Sequence, residues 1–174
     1  MQDIIDYFAK LDGEKKAKGT YVHDTAKGIF GVSDTTTLIE FFKKINLQQA
    51  EHVVDLGSGD GRVAIIASLF TRASGVEFDP ALVAESKEHA EKLNSNARFF
   101  HRDFKDFDFH DVDVLFSYAD QPFSNTFLKK LNNEFNGTLY VYQGVFLPEG
   151  KNTEKGKTEW VDQTPFISYV FGKK

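Results

Sequence analysis

Three glycines spaced two residues apart, Gly57, Gly59 and Gly61, follow directly on the apolar run at 53–56. A second apolar series with helical spacing, Val63, Ile65, Ile66 and Leu69, comes straight after them. Glycines so placed serve a backbone that turns sharply from a strand into a helix and lets a ligand come close. In open α/β sheets that edge, outside the carboxyl ends of the strands, is where ligands bind. The segment therefore predicts an α/β fold with a small-molecule site at residues 55–61.

The rest of the chain repeats the alternation. Strands are expected at 51–56, 73–78, 97–101, 111–118 and 137–143. Helices are expected at 62–70, at 80–93 with Pro80 at its first position, and from Pro122 or Phe123 to about 135. The segments 158–162 and 166–171 are close enough for an antiparallel hairpin. Upstream, Ile4, Ile5, Phe8 and Leu11 mark a helix over 2–11, and Ser33 or Asp34 caps a helix running to about Ile45. Strands alternating with helices imply a three-layer fold with a mostly parallel sheet covered on both faces. The 174 residues fit one domain, divided into an N-terminal part, 1–33, and a main body, 34–174. Residues 12–33 show no clear period and are expected to be a possible lid, with Tyr21 and Phe30 as candidate gates.

The loop discriminates among ligands. It has no Lys for a nucleoside triphosphate, and it reads G-x-G-x-G where a dinucleotide fingerprint needs G-x-G-x-x-G. Asp55 and Asp60 would repel a pyrophosphate. They would favour S-adenosylmethionine, which carries a sulfonium and an ammonium and no phosphate.

DLGSGDG (55–61) resembles the first motif of class I S-adenosylmethionine-dependent methyltransferases. That resemblance assigns Asp55, Gly57, Ser58, Gly59 and Gly61 to the cofactor. GVEFDP (75–80) resembles the second motif, in which Glu77 takes the ribose hydroxyls and Phe78 packs on the adenine. Glu77 also follows Asp55 at about the 20-residue distance expected of a ribose-binding acid. FHRDF (100–104) resembles the third motif, in which Asp103 accepts from the adenine amino group and the Phe104 amide meets the ring. Residues 111–123 stand where the family's acceptor lies. The family fold is a Rossmann-like sheet of seven strands, mostly parallel, with the last antiparallel. A narrower resemblance is to compact archaeal-type protein-lysine methyltransferases, carried by Tyr21-Val22, the helix from Asp34, Asp55–Arg62 and Gly75–Glu77. The sequence departs from that group at SYADQPF (117–123).

Methyl transfer is an in-line displacement that needs alignment more than acid–base groups. Tyr118 and Asp120, at the end of a strand expected to face the sulfonium, are the candidate catalytic residues. The absence of cysteine excludes cytosine carbon-5 chemistry, disulfides and thiolate metal sites. Asp120-Gln-Pro-Phe123 looks like an adenine-amino methylation motif, but its register is wrong, and Pro122 reads instead as a helix start. The five histidines show no metal spacing, so no metal is expected, and His52 is expected to be exposed. A net charge of −5 gives no global attraction to nucleic acid or an anionic membrane. The expected acceptor is thus a protein amine or a small molecule, in a cytoplasmic protein without a membrane span. Two other readings share these motifs: a protein that binds the cofactor without catalysis, and a nicotinamide-dependent oxidoreductase, against which Asp60 and the glycine spacing argue.

Overall fold

The computed structural model describes residues 1–25, 28–144, 146–149 and 153–172, with the backbone alone for 23–25 and 28–30. The main-sheet strands are β3 (His52–Leu56), β4 (Arg72–Glu77), β5 (Arg98–His101), β6 (Val114–Ser117), β7 (Thr138–Tyr142), β8 (Glu154–Val161) and β9 (Thr164–Val170). They lie in the order β5-β4-β3-β6-β7-β9-β8. Strands β3 to β7 are mutually parallel, and β9 runs antiparallel to both its neighbours. This is the seven-stranded, mostly parallel Rossmann-like sheet that the sequence led us to expect. The chain winds outward from β3 to β5 and then jumps back to β6 on the other side of β3. The carboxyl ends of β3, β4 and β6 thereby border one crevice, the topological switch point of the sheet.

Two unequal layers cover the sheet. Helices α2 (Thr35–Lys44) and α3 (Arg62–Ala67) pack on one face, joined by α1 (Gln2–Ala17) and α4 (Pro80–Lys92). Burial on that side is aromatic: Phe41 stacks on Phe166 of β9 with ring centroids 3.7 Å apart, and Phe42 meets Phe116. Asp34 caps α2 by accepting the Thr37 amide proton, and Asp79 caps α4 with Pro80 at its start, as these residue types dictate. The opposite face carries α5 (Asn125–Glu134), and beside it the irregular segment after β5, which contributes Phe109 and Val112 to the core.

α3 ends at Ala67, short of the expected residue 70, and β6 covers only Val114–Ser117 of the expected 111–118. Four further differences from the sequence expectation have a physical cause. α1 continues to Ala17, six residues past the expected end at residue 11. Its second half has no apolar stripe and is held by ion pairs to distant residues, which periodicity does not register. Within the remainder of 12–33, β1 (His23–Thr25) and β2 (Gly28–Phe30) form a small antiparallel hairpin. The Phe30 side chain lies outside the described residues. α5 starts at Asn125 with Ser124 as its cap, so Gln121-Pro122-Phe123 is loop and not a helix start. β8 begins at Glu154, four residues before the expected start at 158, and its first residues are exposed, with a register shift against β9 between Lys155 and Thr158. A fifth correction concerns His52, which is buried: its ring hydrogen-bonds Ser74 Oγ at 2.9 Å and faces the Asp111 carbonyl. Burial pushes its pKa down.

Candidate active site

The loop after β3 is shaped by its glycines and by what grips them. Gly57, Gly59 and Gly61 have φ of 75°, 52° and 82°, a region that side chains with a Cβ rarely enter. The Gly57 and Ser58 amides donate to the Val76 carbonyl of β4 at 2.9 and 3.1 Å, which ties the loop to the neighbouring strand. A Cβ on Gly57 would meet open space, so the loop is bare on that side. One on Gly61 would fall 2.6 Å from Ser86 and 2.7 Å from Phe99, so this glycine serves the packing of α3 against α4 and β5. Gly75 plays a matching part, for its Cβ would strike Ser58 at 2.6 Å.

The loop floors a cavity of about 760 Å³. Asp55, Gly57, Ser58, Gly59, Glu77, Phe78, Asp103, Phe104, Tyr118 and Asp120 all line it; Gly61 does not. The lining also includes Tyr21, Val22 and the segment 31–33 from the N-terminal part. Sequence reasoning missed the run from Gln121 to Ser124, which lines the cavity because it is loop.

Each wall has a local cause. Glu77 ends β4 with one carboxylate oxygen accepting the Gly59 amide at 3.0 Å and the other the Asp79 amide at 2.8 Å. It is fixed by backbone and keeps lone pairs for a ligand. Phe78 follows it on the cavity wall with 41% of its surface exposed. Asp103 caps a turn by accepting the Lys105 amide at 3.0 Å, and Phe104 packs edge-on against Phe127. On the far wall the Tyr118 hydroxyl donates to Gln143 Oε1 at 2.8 Å, and its ring stands edge-on to Tyr142. Burial raises the Tyr118 pKa, so it is a neutral phenol.

The two loop carboxylates part company. Asp60 is wholly enclosed, which alone would raise its pKa, but the Arg62 charge and hydrogen bonds, with Lys15, hold it below the usual range. Its charge is therefore already answered by protein. Asp55 is just as buried, at 4% exposure, and no donor among the described residues reaches its carboxylate. Burial, then Glu77 and Asp60, push it well above the ordinary carboxylate range. A buried, uncompensated carboxylate on the wall of a cavity calls for a cationic ligand.

Residues 55–146, more than half of the chain, match the model of the ANTKMT methyltransferase domain. The chain belongs to that family. Its family is one of methyltransferases, and its fold is that of the class I, S-adenosylmethionine-dependent ones. An RNA methyltransferase from Salinibacter ruber, solved with S-adenosylhomocysteine, superposes with a TM-score of 0.68 at 16% identity, over 82% of this chain and 95% of its own. A methyltransferase from Geobacter sulfurreducens gives 0.66 at 14% identity, over 95% and 88%. At such identities the likeness is one of fold. An uncharacterised Methanocaldococcus jannaschii protein is 40% identical over 58 residues, 32% of this chain and 26% of that relative, so the match spans about a quarter of the relative's length. The cavity fits the cofactor: Asp55 supplies a buried carboxyl group that a neighbouring cation would ionise, Glu77 an anchored carboxylate, and Gly57 a bare backbone.

Asp108, His110 and Glu134 bring ligand-type atoms within 4.8 Å of one another, but the first two are exposed, Glu134 is engaged by Lys130, and none of the three lines the cavity. No helix among the described residues is long and apolar enough to cross a membrane.

Proposed function

We propose that the chain transfers the methyl group of S-adenosylmethionine to an amine, a protein lysine side chain foremost and a small-molecule amine otherwise. The observation that carries this reading is Tyr118. Its only proton is committed to Gln143, so its remaining lone pair is free to accept from an N–H at the end of β6. An amine can donate that hydrogen bond while its own lone pair stays free for attack. Asp120 adds a carboxylate beside the same wall, suited to a cationic chain, and Phe123 and Phe146 supply apolar surface for its methylenes.

The division of labour follows from the walls. Asp55 would face the cationic end of the cofactor, Gly57, Ser58 and Gly59 would pass it along bare backbone, and Glu77 would take the ribose hydroxyls. Phe78, Asp103 and Phe104 would hold the adenine, while Gly61 acts from behind as packing. The cofactor supplies an electrophilic methyl on a charged sulfur. The chain aligns the nucleophile, excludes water and holds Tyr118 neutral. No side chain of the acceptor wall is placed as a strong base, so the amine arrives unprotonated or loses its proton to solvent.

Calorimetric titration with S-adenosylmethionine and S-adenosylhomocysteine, followed by radiolabelled transfer into protein lysines and small amines, tests the reading. Label appearing in lysine supports it. Tight cofactor binding with no transfer to any acceptor would favour a cofactor-binding protein without catalysis. Failure to bind either ligand would remove the cavity as a cofactor site.

A further inference from the structure

Arg62 is the first residue of α3, where the helix dipole disfavours a cation, and it is 2% exposed. Every N–H of its guanidinium is nevertheless used. Nε donates to both Asp60 oxygens at 3.2 Å, and Nη2 to Asp60 at 2.8 Å and to Asp12 of α1 at 2.6 Å. Nη1 donates to Asp12 and to the Ser33 carbonyl, both at 3.1 Å. Phe8 of α1 covers the guanidinium face at 4.7 Å. Lys15, also of α1, lies 3.5 Å from Asp60 and 2.8 Å from Glu85 of α4, and His89 Nδ1 meets the Asp60 carbonyl at 3.0 Å. One side chain thus joins three segments: the glycine loop, α1, and the end of the N-terminal part that lines the cavity through residues 31–33.

A buried ion cluster of this kind adds little to net stability compared with apolar packing, and its value lies in fixing geometry. The geometry fixed here is that of Asp60, the residue between Gly59 and Gly61. Gly57, Gly59 and Gly61 have positive φ on either side of it, and while Val76 holds the start of the loop and Glu77 the Gly59 amide, Arg62 holds the Asp60 side chain.

We propose that Asp12 and Arg62 are positioning residues for the cofactor: α1 is a working part of the cofactor site, and the Asp12–Arg62–Asp60 chain sets the glycine loop in its binding shape. This rests on the reading of the cavity as the cofactor site, which wild-type binding of S-adenosylhomocysteine tests first and separately. Asp12 is the residue to change, because its side chain is 19% exposed and its loss leaves no large void. In calorimetry on the full chain, Asp12→Asn should weaken S-adenosylhomocysteine binding about tenfold, the size of one lost charge-assisted hydrogen bond. Asp12→Glu, which restores the charge, should return affinity to within about threefold of wild type. Hydrogen exchange of the loop amides from Gly57 to Gly61 should quicken in Asp12→Asn, with those of β3 unchanged. A variant that melts lower yet binds within about twofold of wild type would make the cluster a scaffold only and overturn the proposal. An Asp12→Asn protein unchanged in affinity, melting and exchange would overturn it equally. Absent binding by the wild type would instead remove the cofactor reading itself.

Discussion

Replacing Asp55 with Asn removes the carboxylate that no donor answers, and the effect should have opposite signs on stability and on binding. In the free protein, burial and the neighbouring Glu77 and Asp60 hold the Asp55 pKa well above its ordinary value near 4. The folded state therefore binds a proton that the unfolded state has released. Its stabilising share is complete below about pH 4 and falls as pH rises toward the raised value. Within that window one such group costs about 1.4 kcal/mol per pH unit. For a chain of this size that is a fall of about 3–6 °C in Tm per unit. Asp60 acts in the other direction and lower down: its pKa is depressed, so its contribution is lost as pH falls below about 4. His52, lowered by burial, adds stability as pH rises into the ordinary histidine range. The informative quantity is thus the difference between wild type and Asp55→Asn, followed by thermal melts from pH 4.5 to 8 without ligand. The Asn protein should melt higher at neutral pH, by a margin that grows with pH. It should also bind S-adenosylmethionine more weakly by about 1.5–3 kcal/mol, the worth of a hydrogen bond to a charged group. Saturating S-adenosylmethionine should flatten the wild-type slope, because a cation beside Asp55 favours its ionised form. Parallel melting curves for the two proteins would refute the claim that Asp55 is buried without compensation.

Glu77→Ala should weaken S-adenosylhomocysteine binding by about 1.5–3 kcal/mol in calorimetry, since both charged contacts and the anchor of the Gly59 amide go; unchanged affinity removes Glu77 from the site. Gly61→Ala should lower stability by about 2–4 kcal/mol in denaturant unfolding, because positive φ and a Cβ at 2.6 Å from Ser86 act together. A loss under about 0.5 kcal/mol would show that the loop relaxes freely. Tyr118→Phe should reduce turnover with a lysine acceptor about tenfold or more while cofactor affinity holds; equal turnover leaves Tyr118 as packing.

The sheet and the glycine loop were legible because both are written in local pattern. Apolar runs at 53–56 and 114–117 sit between turn residues, and the glycines of 57–61 need their conformations whatever the rest of the chain does. What escaped was held by contacts far apart in sequence. The second half of α1 is charged on all sides and is fixed by Asp12 on Arg62, fifty residues away. His52 and His89 are both buried by partners from other strands and helices. Arg62 itself left a trace: a cation at the first turn of a helix, directly after an Asp-Gly pair, is misplaced unless carboxylates surround it. At Pro122 a sound local rule lost to Ser124, two residues further on, whose hydroxyl accepts the Phe127 amide proton.

Phe127 of α5 is 2% exposed, and its ring lies 4.9 Å from Phe104, 6.3 Å from Phe123 and 6.0 Å from Phe109. The cavity wall at Phe104, the loop at Phe123 and the core of the second face lean on one ring. A change at Phe123 or Phe127 has to be absorbed by both walls together. On the proposed reading, a search for altered acceptors, by selection or by design, leaves Phe104, Phe109, Phe123 and Phe127 in place.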